Sequence, residues 1–178
     1  MIGPHRQERP AMSHQAFIEQ AVRLAYEHTV FRGGKPFGAV LVREGQVIAT
    51  AVNEVLTSHD PTDHAEMRAI RDACRQLGTP DLSGCVLYAS GEPCPMCLSA
   101  AYLAKLPVIY YAYGQADAEV AGLGMSWLYK QLALPAEART LRIVAQRATP
   151  KRTRRIPPGC AARPTRTADN DKGEQIWM

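Results

Sequence analysis

The sequence predicts an α/β fold: a three-layer α-β-α sandwich around a mixed five-stranded sheet. Its apolar and turn patterns run in the order α-β-β-α-β-α-β-α-β. The first two strands are joined as a hairpin, whereas the later ones alternate with helices, so one sheet must mix antiparallel and parallel pairs. The chain has 178 residues, 46% of them apolar, enough for one domain with a real core plus an appendage. Collagenous and globally disordered chains are excluded.

Each element has a local reason. Ser13 caps a helix running to about Phe31, with Phe17, Ile18, Ala21, Val22, Ala25 and Val30 as its apolar stripe. Gly33-Gly34 ends it, and Pro36 prevents its return. In PFGAVLVREGQVIATAVN, Val40 to Val42 form a strand, Glu44-Gly45 a turn, and Val47 to Val52 a second strand. A polar loop spans Glu54 to Thr62, with Asp60-Pro61 as its turn signal. A second helix covers about Asp63 to Leu77; Ala69, Ile70, Ala73 and Leu77 make its buried side and Gly78 its stop. Cys85 to Ala89 is continuously apolar, as a central strand is. Cys94 to Lys105 is the third helix, and Pro107 to Tyr113 the fourth strand. Residues 116–138 are helical but interrupted at Gly122 and Gly124, and Leu141 to Ala145 reads as a fifth strand. Met96, Met125, Trp127, Tyr110, Tyr111 and Tyr113 have helix or strand spacing and are assigned to the core or a subunit contact.

The net charge of +4 is unevenly divided. Residues 1–137 carry 11 Lys and Arg against 14 Asp and Glu; residues 138–178 carry 10 against 3. Basic character belongs to the tail alone. From Arg147 the periodicity stops, so residues 147–178 are expected to be disordered or ordered only against a partner, and residues 1–12 to be a flexible start. The domain proper is residues 13–146. No apolar run approaches the ~18 residues of a membrane span, and the first residues hold no apolar signal region, so a cytoplasmic location is expected with no membrane partner. Five cysteines, only Cys94 and Cys97 close together, do not suggest a disulfide framework. CxxC in such a chain points to metal or redox chemistry.

Chemistry concentrates in His64-Ala65-Glu66 and Pro93-Cys94-Pro95-Met96-Cys97. Zinc takes imidazole nitrogen and thiolate sulfur, and catalytic sites use three protein ligands with the fourth position open. His64, Cys94 and Cys97 supply three; Cys85, in a strand, and His59, in a loop, lack ligand spacing for a fourth. Cys94 and Cys97 stand i, i+3 on one helix face. Both clusters open a helix, so two positive helix ends face the metal and favour thiolates. Glu66, two residues beyond His64, is placed to carry protons rather than to ligate. A lone CxxC also fits a structural zinc half-site or redox pair, and a lone HxE fits chance. Together they match the zinc deaminase signature H-x-E…P-C-x-x-C.

The chain therefore resembles the cytidine deaminase-like superfamily. PFGAV (36–40), Asn53, DPT (60–62), HAE (64–66), the aliphatic strand 85–89 and EPCPMC (92–97) follow that family in order. ADAEVAG (116–122), LYK (128–130) and PAEART (135–140) resemble its bacterial guanine deaminase branch. The resemblance covers about residues 13–146. It implies a Zn2+ cofactor and a hydrolysis in which an activated water attacks the carbon bearing an exocyclic amine. The glutamate, here Glu66, takes the water proton, then protonates the ring nitrogen and the leaving ammonia. Asn53 corresponds to the asparagine that hydrogen-bonds substrate, the alternative being a strand-end turn residue. Phe37 walls the pocket or is plain core. The resemblance also implies that the Ala65 backbone N–H touches the substrate carbonyl region; Asp60 shapes its loop, the alternative being a substrate contact.

Three departures stand out. Relatives in that branch carry an acidic pair after the glycine matching Gly122, where this chain has Leu123-Gly124-Met125-Ser126. They also close the site with a C-terminal aromatic segment, which the basic tail replaces here. Gly91 stands where a larger residue is usual, and either opens space beside the metal or relaxes the loop. The resemblance implies a nucleobase or nucleoside deaminase, guanine deaminase-like, with cytosine or cytidine deamination as the alternative. In another class, a tRNA adenosine deaminase would use Arg147, Lys151, Arg152, Arg154, Arg155, Arg163 and Arg166 of the tail for phosphates. A zinc-stabilised scaffold without catalysis is a third class. A homodimer is expected, with Ser99, Ala100, Ala101 and Ala104 of the third helix packing against a second subunit.

Overall fold

The computed structural model describes residues 13–146. The flexible start and basic tail expected from composition lie outside them. Residues 13–141 belong to one compact unit. Of the second unit, which begins at Arg142, residues 142–146 are described and carry no regular structure.

Helix α1 (His14–Arg32) starts where Ser13 accepts a hydrogen bond from the Ala16 N–H, and it ends on Gly33 in the left-handed region. Strands β1 (Gly38–Arg43) and β2 (Gln46–Val52) form the expected hairpin. Its turn residues Glu44 and Gly45 both have positive φ, as a two-residue turn matched to strand twist requires. A short helix, α2 (Val55–Ser58), interrupts the expected polar loop. Helix α3 (Ala65–Leu77) ends on left-handed Gly78. Strand β3 (Cys85–Gly91), helix α4 (Pro95–Leu103) and strand β4 (Ile109–Tyr113) make a βαβ unit. Helices α5 (Gln115–Val120) and α6 (Ser126–Ala133) split the last helical region at Gly122 and Gly124.

The sheet order is β2-β1-β3-β4, antiparallel except for the parallel β3–β4 pair. Among the described residues it has four strands, not five. Leu141, Ile143 and Val144 of the expected fifth strand are 72%, 73% and 69% exposed. Without burial, nothing offsets the entropy of ordering another strand.

The two faces of the sheet carry separate cores. Val40, Val42 and Tyr88 pack with Phe17 and Ala21 of α1. Ala39, Leu41 and Leu87 pack on the other side with Ala69 and Ala73 of α3 and Ala101 of α4. Strand β1 is therefore buried on both faces from Gly38 to Val42, which explains its unbroken apolar run. Gly38 lets α1 approach closely: a Cβ there would strike the Ala21 carbonyl and meet the Ala25 nitrogen at 2.9 Å. Ala101 of α4 and Ala104, which ends that helix, face the core, whereas Ser99 is exposed. The tyrosines of β4 are exposed and belong to no core. Val30, expected on the buried stripe of α1, is exposed as well, and His28 takes the inward position. At one end of the sheet, β2, β3 and β4 terminate and β1 begins. Functional sites of such sheets form beyond strand carboxyl ends.

Candidate active site

His64 and Cys94 are the residues immediately before α3 and α4, both extended. Neither side chain caps its own helix; they turn on one another instead. The Cys94 Sγ lies 3.5 Å and the Cys97 Sγ 3.6 Å from His64 Nδ1, and the two sulfurs are 3.6 Å apart. Zinc bonds of about 2.0 Å to nitrogen and 2.3 Å to sulfur at tetrahedral angles require donor separations of about 3.5–3.8 Å. The triangle fits zinc without rearrangement. These three residues are the group among the described residues whose donor atoms could hold a metal ion.

The surrounding chain fixes this triangle. Asp60 Oδ1 accepts from the N–H and hydroxyl of Thr62, both at 2.7 Å, which holds its carboxyl below the usual range. Arg71 then binds the Thr62 hydroxyl and Asp63, and Arg68 also reaches Asp63. The loop before His64 is thus pinned to α3, so Asp60 acts on loop shape. On the other side, the Tyr129 hydroxyl of α6 donates to the Pro93 carbonyl at 2.8 Å, bracing the turn before Cys94.

Charge is distributed unevenly among the donors. The Cys94 thiol is pulled down to about 4, first by its hydrogen bond with Cys97 and also by His64. Cys97 is pushed up by that neighbouring thiolate and by burial. His64 is pushed up by its hydrogen bond with Cys94. A divalent cation held by these donors would displace thiol protons. Glu66 is 5% exposed, its Oε2 3.6 Å from the Cys97 Sγ, and burial pushes its carboxyl upward.

His64, Cys94 and Glu66 line a cavity of about 540 Å3 that Asn53 and Phe37 also line, with Cys97 buried behind them. Ala65 is fully buried at the first turn of α3, beside Glu66. Asn53 is 2% exposed. Its N–H donates to the Phe37 carbonyl at 3.0 Å and its Oδ1 accepts from Val55 at 3.2 Å. The amide NH2 is the part left to face the cavity. Gly91 also lines the cavity, and a Cβ there would press on the Phe37 ring at 3.2 Å, so the glycine lets that ring pack closely.

Residues 11–113, more than half of the chain, match the family described as the cytidine and deoxycytidylate deaminase zinc-binding region. The chain belongs to this deaminase family. It is 49% identical over 130 residues to the guanine deaminase of Bacillus subtilis (strain 168), covering 73% of this chain and 83% of that protein. An X-ray structure of guanine deaminase from Bacillus subtilis superposes with a TM-score of 0.75 at 47% identity, covering 78% of this chain and 88% of the other. The tRNA-specific adenosine deaminase of Aquifex aeolicus (strain VF5) is 42% identical over 101 residues, 57% of this chain and 66% of that one. The protein is thus a guanine deaminase-like deaminase, a hydrolase of C–N bonds, with a zinc-binding domain.

Several cavity residues of this deaminase escaped the sequence reading. Met125 and Trp127, assigned there to the core or a subunit contact, line the cavity. Glu92 and Asp117 line it too, each accepting a backbone N–H at 2.9 Å, from Gln115 and Gly114. The wall after Gly122, where an acid is absent, is apolar. His28 was missed although it extends the spacing of Phe17, Ala21 and Ala25. That i, i+4, i+8, i+11 series would have flagged it.

Proposed function

We propose that this protein hydrolytically deaminates a free purine base of the guanine type, with Glu66 as its proton carrier. The observation that carries the reading is the buried Glu66 carboxylate beside the His64–Cys94–Cys97 triangle, at a cavity also lined by Asn53. The substrate class follows the Bacillus subtilis relative.

When bound by those three residues, zinc supplies a Lewis acid that brings the pKa of a water toward neutrality. The remaining chemistry belongs to the chain. Asn53 turns its amide NH2 toward ring acceptors, and the Ala65 N–H, at the open end of α3, faces the substrate carbonyl region. Phe37 stacks against the ring and fixes its plane. Glu66 takes one proton from the attacking water and hands it to the ring nitrogen next to the reacting carbon. It then takes the second proton and delivers it to the departing amine. Ring C–NH2 plus water becomes ring C=O plus ammonia. Burial suits this task, because a carboxyl with raised proton affinity both accepts and returns protons.

The apolar wall of Leu123, Gly124 and Met125 faces the ring edge where relatives of the guanine branch place an acid. Glu92 and Asp117 are the carboxylates that remain to read donor groups. A panel of guanine, adenine, cytosine and their nucleosides, scored for ammonia release, tests the assignment. Guanine at least tenfold above the others supports it; turnover confined to cytosine or cytidine overturns it. Deamination of an adenosine within tRNA is a second reading, favoured by the Aquifex aeolicus relative. Inosine formation in tRNA, with no release from free bases, would establish it.

We also place the working enzyme in the cytoplasm as a homodimer. Paired thiols 3.6 Å apart need a reducing compartment to remain ligands. Tyr102 and Leu103 of α4, at 75% and 83% exposure, leave an apolar face for a second copy. Sedimentation at micromolar concentration reads the dimer directly.

A further inference from the structure

We propose that His28 is a positioning residue for the active site, holding the Asn53 main chain and thereby aiming its amide at substrate. This rests on the substrate-contact role proposed above for Asn53.

Helix α1 has no other part in the chemistry, yet near its end it buries an imidazole at 5% exposure. The ring Nε2 lies 2.8 Å from the Asn53 carbonyl oxygen, in a buried hydrogen bond. That oxygen can only accept, so the proton sits on Nε2. The other nitrogen, Nδ1, is buried without a partner. A bare acceptor there is tolerable, whereas an N–H would be an unsatisfied donor. The ring has a slot made for it. Gly34 lies against it, and a Cβ at that position would fall on the imidazole itself.

Asn53 is held at three points. Two are local to its own end of the sheet: its N–H on the Phe37 carbonyl and its Oδ1 on the Val55 N–H. The third, from His28, ties the peptide after Asn53 to a different layer of the fold. That peptide precedes α2 and sets the direction in which the Asn53 side chain leaves the backbone. Without the imidazole the Asn53 carbonyl loses its partner, and only the Glu54 N–H, on the Asp63 carbonyl at 3.0 Å, is left to set the tilt of that peptide. The effect should fall on substrate affinity, since neither Glu66 nor the donor triangle touches His28.

The test compares His28→Phe, which fills the slot without a donor, with His28→Gln, whose amide N–H reaches a similar point. In full-length, zinc-loaded enzyme, H28F should raise KM about fivefold, the worth of one buried hydrogen bond, with kcat within twofold and zinc content unchanged. H28Q should recover most of the loss. The double variant H28F with Asn53→Ala should bind no worse than N53A alone. Equal KM in H28F and wild type while N53A is impaired would overturn the inference and leave the proposed function standing. If N53A itself binds normally, the substrate role of Asn53 falls and this inference falls with it. Should H28F not fold, ring 15N shifts of the wild-type protein decide: a proton on Nδ1 overturns the inference, and one on Nε2 supports it.

Discussion

At the scale of single residues, the site depends on side chains diverted from ordinary duties. A residue before a helix normally spends its side chain on the first free N–H groups. His64 and Cys94 do not; each points into a shared triangle with Cys97. What the helices lose in capping they recover by placing positive ends beside thiolates. Glu66 is held differently, buried two residues beyond His64 and outside the donor triangle. That separation gives a sharp expectation. Glu66→Gln should lower kcat by about 10²- to 10⁴-fold, with zinc content by elemental analysis still near one per chain. Cys97→Ser should lose the metal as well as the activity. If E66Q were as active as wild type, Glu66 would have no proton to carry. The three donors and Glu66 were legible by spacing because each cluster sits within three residues of itself. The placement of Asn53 came only with the resemblance. His28 and Tyr129 were not found, since each acts through one hydrogen bond across 25 and 36 residues of chain.

At the scale of elements, the sequence patterns located four strands and the main helices because each obeys a period. The hairpin turn, the left-handed glycines at 33 and 78 and the apolar run of β3 all follow from local rules. The expected fifth strand fails for a physical reason: LRIVA has the composition of a strand but nothing to bury against. Helix α2 was missed because four residues carry no period. Gly38 shows what pattern reading cannot supply. It was quoted as part of PFGAV, but its work is a close approach of α1 to β1, visible only in three dimensions. Gly38→Ala should therefore destabilise the fold by about 3 kcal/mol through overpacking against backbone atoms, measured by urea unfolding. A change under about 0.5 kcal/mol would mean α1 shifts outward at little cost. Such a shift should then raise KM, because α1 carries His28 and lines the cavity through Ala25 and Tyr26.

At the scale of the whole molecule, the two halves of the site come from opposite flanks of one sheet end. His64, Asn53 and Glu66 follow β2, while Cys94 and Cys97 follow β3. Strand β1 lies between them, buried on both faces. A cation held by all three donors therefore ties the entry of α3 to the entry of α4, two segments otherwise joined through the core. Binding of that kind adds to folding stability by mass action, about 4 kcal/mol at a thousandfold excess over Kd. For a unit of this size that corresponds to roughly 10 °C in melting temperature. Scanning calorimetry with added zinc and with chelator should show that difference and its dependence on free zinc. The Cys97→Ser variant should melt at the chelated value under both conditions. A wild-type melting temperature indifferent to zinc would show that the triangle does not hold the ion at those concentrations. A shift that survives in C97S would place the stabilising metal somewhere other than this triangle.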